Sequence, residues 1–344
     1  MRSEPALSPP RALGEPLGSG RLRALPEDFD VEELLGFEPA GAGEHVLLQV
    51  RKREANTLWV ARALARLGAC RPLDVGYAGL KDRRAVAVQW FTVPRRGRPA
   101  AEWLGRSGEG FEVLAAHAHT RKLPRGALAG NRFRIRVRDF TPQPEAFAAR
   151  VQAIGAQGVP NYFGPQRFGR DGGNLADLPT DPRALRATQR GFALSAARSL
   201  VFNAVLAERV RAGSWAQLQP GDRAILDGGG SHFAVEALDE SLRARAECLQ
   251  IHPTGPLWGR GAPTSSAAVA ALEKRIAAGY ARECALIEAA GMEQQRRSLR
   301  LAVRALRAEL SPGAAVLEFE LAGGAYATAV LRELGDFDDQ PSRT

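Results

Sequence analysis

Polar and apolar residues change rhythm several times along this chain, and each rhythm predicts an element. Residues 131–138 alternate with period two. Phe133, Ile135 and Val137 fall on one side and Arg132, Arg134, Arg136 and Arg138 on the other, the pattern of a half-buried strand. Residues 23–35 read as an extended segment. Residues 44–51, 86–93, 111–116, 299–303 and 314–321 read as strands. A period near 3.6 runs over 57–67, where Leu58, Val60, Ala61, Leu64 and Leu67 recur behind Asn56, a residue type that caps helices. Helices are also predicted over 144–156, 193–212 and 325–334, and one long Ala-rich helix over 265–290 behind Ser265 and Ser266. Residues 158–173, dense in Gly, Pro and aromatics, cannot be one regular element.

The texture therefore runs from mixed α/β (21–157) through a helix-rich middle (158–300) back to α/β (301–344). One domain inserted into another is the economical arrangement, and 344 residues suffice for two. The Pro, Gly and Ser content of residues 1–20 predicts a poorly ordered lead-in with no apolar signal core. No apolar run approaches the roughly 20 residues that span a bilayer.

Charge narrows the partners. Lys and Arg total 47 against 38 Asp and Glu, a net charge of +9, which favours a polyanion and above all nucleic acid. Nearly all of it is arginine. Lys52, Lys81, Lys122 and Lys274 are the only lysines, and Lys81 and Lys122 are candidates for work that arginine does poorly. The arginine face of 131–138 can grip phosphates or be an ordinary solvated sheet face. Cys70, Cys248 and Cys284 form no C-x-x-C pair and read as reduced thiols of a cytoplasmic protein. The histidines have no ligand spacing, so no metal is expected, and no phosphate-cradling G-x-x-x-x-G-K-[ST] loop is present.

One segment stands out for its chemistry: Gly76 to Pro94, GYAGLKDRRAVAVQWFTVP. Asp82 lies in a Gly-flanked turn between Lys81 and the pair Arg83 and Arg84, just before an apolar strand. Those cations favour the ionised carboxylate, which suits it to nucleophilic or base work. From the residues alone a surface turn with local ion pairs is the plainer reading.

GLKDRRAV resembles the G-x-K-D-x-x-A-V motif of the TruD pseudouridine synthases, in which the Asp is catalytic. Six further segments resemble that family in order: PEDFDVEE from Pro26, RKLPRGALAGNRF from Arg121, GVPNYFGPQRFG from Gly158, ALSAARSLVFNAVLAERV from Ala193, HPTGPLWG from His252 and GAYATAVLREL from Gly324. The resemblance implies an α/β (α+β) fold: a pseudouridine-synthase catalytic domain with a mixed, mainly antiparallel sheet, and an inserted helix-rich domain particular to the family. It implies isomerisation of uridine in tRNA, usually uridine 13, without cofactor or metal and with the target base flipped out of the RNA; a monomer is expected, though not from the resemblance. Asp82 would attack the base or act at the sugar. Lys81 would orient it or contact phosphate, Phe133 would stack on the uracil, Asn131 would bond its edge, and Phe29 would pack beside them. Arg23 stands where the family often has Lys, and Ala87 where it usually has Thr. Gln166 and Arg167 are candidate RNA contacts. A non-catalytic RNA-binding assembly factor explains the same charge but not an acid inside a basic turn. A basic metabolic enzyme lacks a phosphate loop.

Overall fold

The computed structural model describes residues 8–339 apart from Asp177 and Thr180, and they cluster into two units. One unit comprises 17–151, 304–324 and the described residues from 335. The other comprises the described residues up to 16, 152–303 and 325–334.

In chain order the sheet unit begins with β1 (Ser19–Arg21), β2 (Phe29–Leu35), β3 (His45–Arg53), α1 (Thr57–Leu67), β4 (Gly76–Tyr77) and β5 (Val86–Pro94). It continues through β6 (Ser107–Gly108), β7 (Phe111–His119) and β8 (Leu128–Arg138). Next come α2 (Pro144–Gln157), β9 (Val159–Pro160), α3 (Ala187–Arg211), β10 (Arg223–Leu226) and β11 (His232–Ala234). Then follow α4 (Glu240–Glu247), β12 (Ile251–Leu257), α5 (Ala267–Ala278), α6 (Ala281–Ala289), β13 (Gln295–Ser298) and β14 (Arg300–Leu301). The chain returns with β15 (Arg304–Ser311), β16 (Ala314–Ala322), α7 (Ala327–Arg332) and β17 (Asp336–Asp338).

The large sheet is ordered β15-β16-β8-β2-β5-β3-β7-β6. It is mixed but mainly antiparallel, as expected: β2 runs parallel to β5 and β1 to β17, while the other pairs are antiparallel. Apolar residues of β3 and β5 (Val46, Leu48, Val50, Phe91, Val93) pack against Val60 and Leu64 of α1. Asn56 caps that helix as predicted, its side chain accepting from the Trp59 N–H at 2.8 Å. Register then decides which side chains share this face. Val31 lies opposite both Phe133 and Ala87, Lys52 lies opposite Ala87, and Glu33 lies opposite Asn131. Directly opposed residues point to the same side of a sheet, so these six share one face.

The other face of β8 settles the alternatives left by its arginines. Arg132 pairs with Glu32 and Glu320, Arg134 with Glu318, and Arg138 with Asp28. Glu32, Glu318 and Glu320 come from the strands on either side and Asp28 from the turn just before β2, so Arg132 and Arg134 form a solvated ladder of ion pairs and Arg138 closes it on a buried carboxylate.

The second unit is built around α3. Leu200, Phe202, Leu206 and Val210 pack with Tyr162, Phe163 and Phe168 of the Gly-rich segment and with Trp215 and Leu299. Three expectations need correction. The single helix over 265–290 is two, α5 and α6, separated by Gly279 and Tyr280. Its cap also differs: Ser266 takes the cap position without a side-chain bond, and Ser265 donates instead to Glu273. Residues 325–334 cluster with the helical unit, not with the rest of 301–344.

Of the lead-in, residues 1–7 lie outside the described residues, but 8–20 are tied down. Ala12 and Leu13 donate their N–H groups to the carboxylate of Glu333 at 3.0 Å each. Glu333 is fully buried and needs donors, which is why this Pro-rich stretch is held. Among the described residues no helix is long and apolar enough to cross a membrane.

Candidate active site

Lys81 and Asp82 sit on the loop between β4 and β5. The loop is entered through Gly76, where a Cβ would stand 2.4 Å from Thr92 Oγ1 and 2.7 Å from the Leu123 carbonyl, so only glycine fits. Three polar side chains hold the backbone beyond it. Lys52 Nζ donates to the carbonyls of Asp82 (2.7 Å) and Ala55 (2.8 Å) and lies 3.4 Å from that of Lys81. Thr57 Oγ1 accepts from the Lys81 N–H at 3.0 Å and donates to Gln89 Oε1 at 3.0 Å. Gln89 Nε2 in turn donates to the Gly79 carbonyl at 2.7 Å. Lys52 is fully buried, and burial pushes its pKa down to about 8, against the opposing pull of the Asp82 charge.

The Asp82 side chain is 54% exposed, and its Oδ2 accepts from Arg23 Nη2 at 3.0 Å. Among the described residues Oδ1 has no hydrogen-bond partner. Arg23 is itself only 9% exposed. Its other Nη pairs with Asp339, and its guanidinium lies 4.0 Å from the centre of the Phe29 ring. The Arg23 backbone is in the left-handed region at φ 52, which costs a non-glycine residue on the order of 1 kcal/mol. The guanidinium's three contacts hold it there.

This corrects the expectation that Asp82 is balanced by its sequence neighbours. Arg83 Nε donates to the Glu54 carbonyl. Lys81 Nζ donates to Asn131 Oδ1 at 2.6 Å and lies 3.1 Å from Glu33 Oε1. Glu33 is completely buried; its Oε2 accepts from the Trp90 N–H at 2.8 Å, and burial raises its pKa while Lys81 opposes the rise. Asn131 keeps Nδ2 without a protein partner among the described residues. Phe133 is buried between Phe29, edge-on at 6.1 Å between centroids, and Phe319, stacked at 5.4 Å. Ala87 is fully buried next to Val31 and Lys52.

Arg23, Phe29, Lys81, Asp82, Asn131 and Phe133 thus belong to one constellation on the sheet unit. Gln166 and Arg167 belong to the other unit. Gln166 is exposed. Arg167 donates to Ser195 Oγ at 2.8 Å and to the Tyr326 hydroxyl at 2.6 Å.

The family model for tRNA pseudouridine synthase D (TruD) matches residues 13–175 and 177–334. The chain belongs to the TruD family. It is 49% identical over 336 residues to the tRNA pseudouridine synthase D of Methylococcus capsulatus, covering 96% of this chain and 95% of that one. It is 46% identical over 330 residues to the corresponding protein of Nitrosococcus oceani, covering 93% and 91%. The fold is similar to the crystal structure of a putative tRNA pseudouridine synthase D from Methanosarcina mazei. That likeness has a TM-score of 0.70 at 22% identity and covers 96% of this chain and 95% of the other.

The constellation of this TruD-family chain includes residues that sequence reasoning passed over: Lys52, Glu33, Thr57 and Gln89. A signal for three of them is present. Lys52 keeps the parity of Val46, Leu48 and Val50, Glu33 that of Phe29 and Val31, and Gln89 that of Phe91 and Val93. A polar residue at a core-facing position of a strand is costly unless it is bonded. The lysine hint fell on Lys81, which is in the constellation, and on Lys122, whose ammonium ties down the Leu73 carbonyl, and passed over Lys52.

Proposed function

We propose that this chain isomerises uridine to pseudouridine in tRNA, at position 13, with Asp82 as the catalytic carboxylate and no cofactor or metal. One observation carries the assignment of Asp82. One of its oxygens is held by a buried arginine, the other is open, and its backbone is anchored by Lys52. Such a carboxylate is preorganised before substrate arrives, and preorganisation is the main source of electrostatic catalysis. Attack on the base and action at the sugar both start from that open oxygen.

The remaining roles follow from what each group has left to offer. Lys81, between Glu33 and Asn131, fixes the Asn131 side chain and leaves Nδ2 to donate to a uracil carbonyl. Phe29 and Phe133 supply an apolar wall; with Phe133 already covered on two sides, it meets the base at its edge. Arg23 holds Asp82 in register. The target nucleotide is extruded from the folded RNA, because C1′ and C5 are out of reach inside it. Gln166 and Arg167 contact RNA from the helical unit. A tRNA substrate goes with work in the cytoplasm.

The test is pseudouridine mapping of an unmodified tRNA transcript pool after incubation with the purified protein and with Asp82→Asn, without added cofactor. Pseudouridine at position 13 with the wild type alone is expected. Equal product from both proteins would mean that another carboxylate does the chemistry. Tight tRNA binding with no product from either would favour an assembly factor.

A further inference from the structure

Buried arginines of the helical unit generally meet a carboxylate or a set of carbonyls. Arg209 forks onto Asp222 and the carbonyls of Ser214 and Gln217, and Arg296 grips Glu273. Arg300 donates to His252 and to the carbonyls of Ala246 and Ile251.

Two arginines break this pattern at one place. Arg297 of β13 lies with its guanidinium 4.3 Å from the centre of the Phe163 ring, and that of Arg167 lies 5.1 Å from the same centre. Among the described residues Arg297 donates only to Asn161 Oδ1, at 2.7 Å, and its Nε is buried without a partner. Arg167, among the described residues, donates only to the hydroxyls of Ser195 and Tyr326. Among the described residues no carboxylate pairs with either. Burial pushes the Arg297 pKa down to about 10, and the nearby charge of Arg167 adds to the fall. Two like charges beside one ring with only neutral partners, one of them strongly desolvated, form an arrangement short of an anion. Arg167, Arg297 and Tyr326 remain partly exposed, so an anion can reach them. The Tyr326 hydroxyl, having accepted from Arg167, keeps its own proton to donate.

We propose that Arg167, Arg297 and the Tyr326 hydroxyl form a subsite for one backbone phosphate of the RNA substrate. A phosphodiester supplies the missing negative charge, and its two non-bridging oxygens suit the guanidinium forks. Both guanidinium groups already pack against Phe163, so little side-chain freedom is lost on binding. This rests on the chain acting on tRNA and goes further by naming where a phosphate is held.

The experiment measures tRNA affinity against salt for the wild type, Arg297→Gln and Arg167→Gln, with pseudouridine formation by the wild type as control. Each phosphate contact contributes about 0.7–0.9 to the slope of log K against log salt. Each variant is expected to bind about tenfold more weakly at a fixed moderate salt and to lose up to that one contact from the slope, with KM rising more than kcat falls. Folded variants with the wild-type slope and affinity would overturn the subsite and leave the activity standing. A wild type that neither binds tRNA nor forms pseudouridine would instead sink the functional reading.

Should the variants fail to fold, phenylglyoxal modification of the wild type decides, read by peptide mass spectrometry. Protection of Arg167 by tRNA supports the subsite; equal modification with and without tRNA overturns it. Inorganic phosphate compared with chloride at equal ionic strength tests the other source of the anion. A phosphate-specific stabilisation lost in Arg297→Gln, with an unchanged tRNA slope, would make this an inorganic anion site and refute the RNA contact.

Discussion

Replacing Lys52 with methionine separates the part of this site that stabilises the fold from the part that positions it. The Lys52 ammonium is fully buried and donates to the carbonyls of Asp82 and Ala55. Its pKa falls from an ordinary 10.5 to about 8. The folded protein therefore releases this proton more readily than the unfolded chain. Below pH 8 the group is charged in both states and the burial cost is present in full, about 3 kcal/mol at 1.36 kcal/mol per pKa unit. Between pH 8 and 10.5 the unfolded chain binds more protons, so stability contributed at this position rises with pH. From pH 7 to pH 10 the wild type should gain about 2 kcal/mol relative to Lys52→Met. Methionine removes the cost but strands the two carbonyls, each worth about 1–3 kcal/mol when left unpaired, so the terms largely offset at pH 7. The rate does not share in that compensation. Without its anchor the Asp82 backbone shifts, and a misplacement of about 1 Å can cost on the order of a hundredfold. The assays are urea unfolding at pH 7 and pH 10 and single-turnover pseudouridine formation in tRNA. A rate within twofold of wild type, or parallel stability curves at the two pH values, would refute the reasoning.

Other perturbations follow from the same contacts. Arg23→Met should lower kcat/KM for pseudouridine formation about tenfold to a hundredfold, the worth of one hydrogen bond to a charged group, and Arg23→Lys should recover part of it. Glu33→Gln keeps an acceptor for the Trp90 N–H but removes the counter-charge of Lys81, so the rate should fall. The raised pKa of Glu33 means that wild-type stability is lost as pH rises from the ordinary carboxylate range through that raised value. Urea midpoints between pH 4 and 7 should show this slope in the wild type and a flatter one in Glu33→Gln. In the helical unit, Asp222→Ala leaves Arg209 buried and unpaired and should lower the unfolding free energy by about 3–5 kcal/mol in urea titration.

Much of this protein was legible in the chain. Period-two alternation located β8 and its buried Phe133, Ile135 and Val137, and the Asn56 cap located α1, because burial of a strand face and capping of a helix end are local demands written in adjacent residues. The helix predicted through Gly279 and Tyr280 failed because Ala-rich periodicity does not register a break between two helices whose Ala277 and Cys284 pack into the same cluster beside Val201. The motif segments identified the loop of Asp82, and parity alone marked Lys52, Glu33 and Gln89 as polar residues on buried strand faces. Sequence could not say what those three bond to. Their partners are 29, 48 and 10 residues away or more in the contacts that matter, Lys52 with Lys81, Glu33 with Lys81 and Gln89 with Gly79. Strand order and register set those distances, and both depend on which sheet neighbours the whole chain can satisfy at once. The same holds for Arg23, which reaches Asp82 across 59 positions, and for Arg297 and Arg167, which meet over one phenylalanine ring. Charge and periodicity are properties of residues in order; a counter-ion, or the lack of one, exists only once the fold has brought distant residues together.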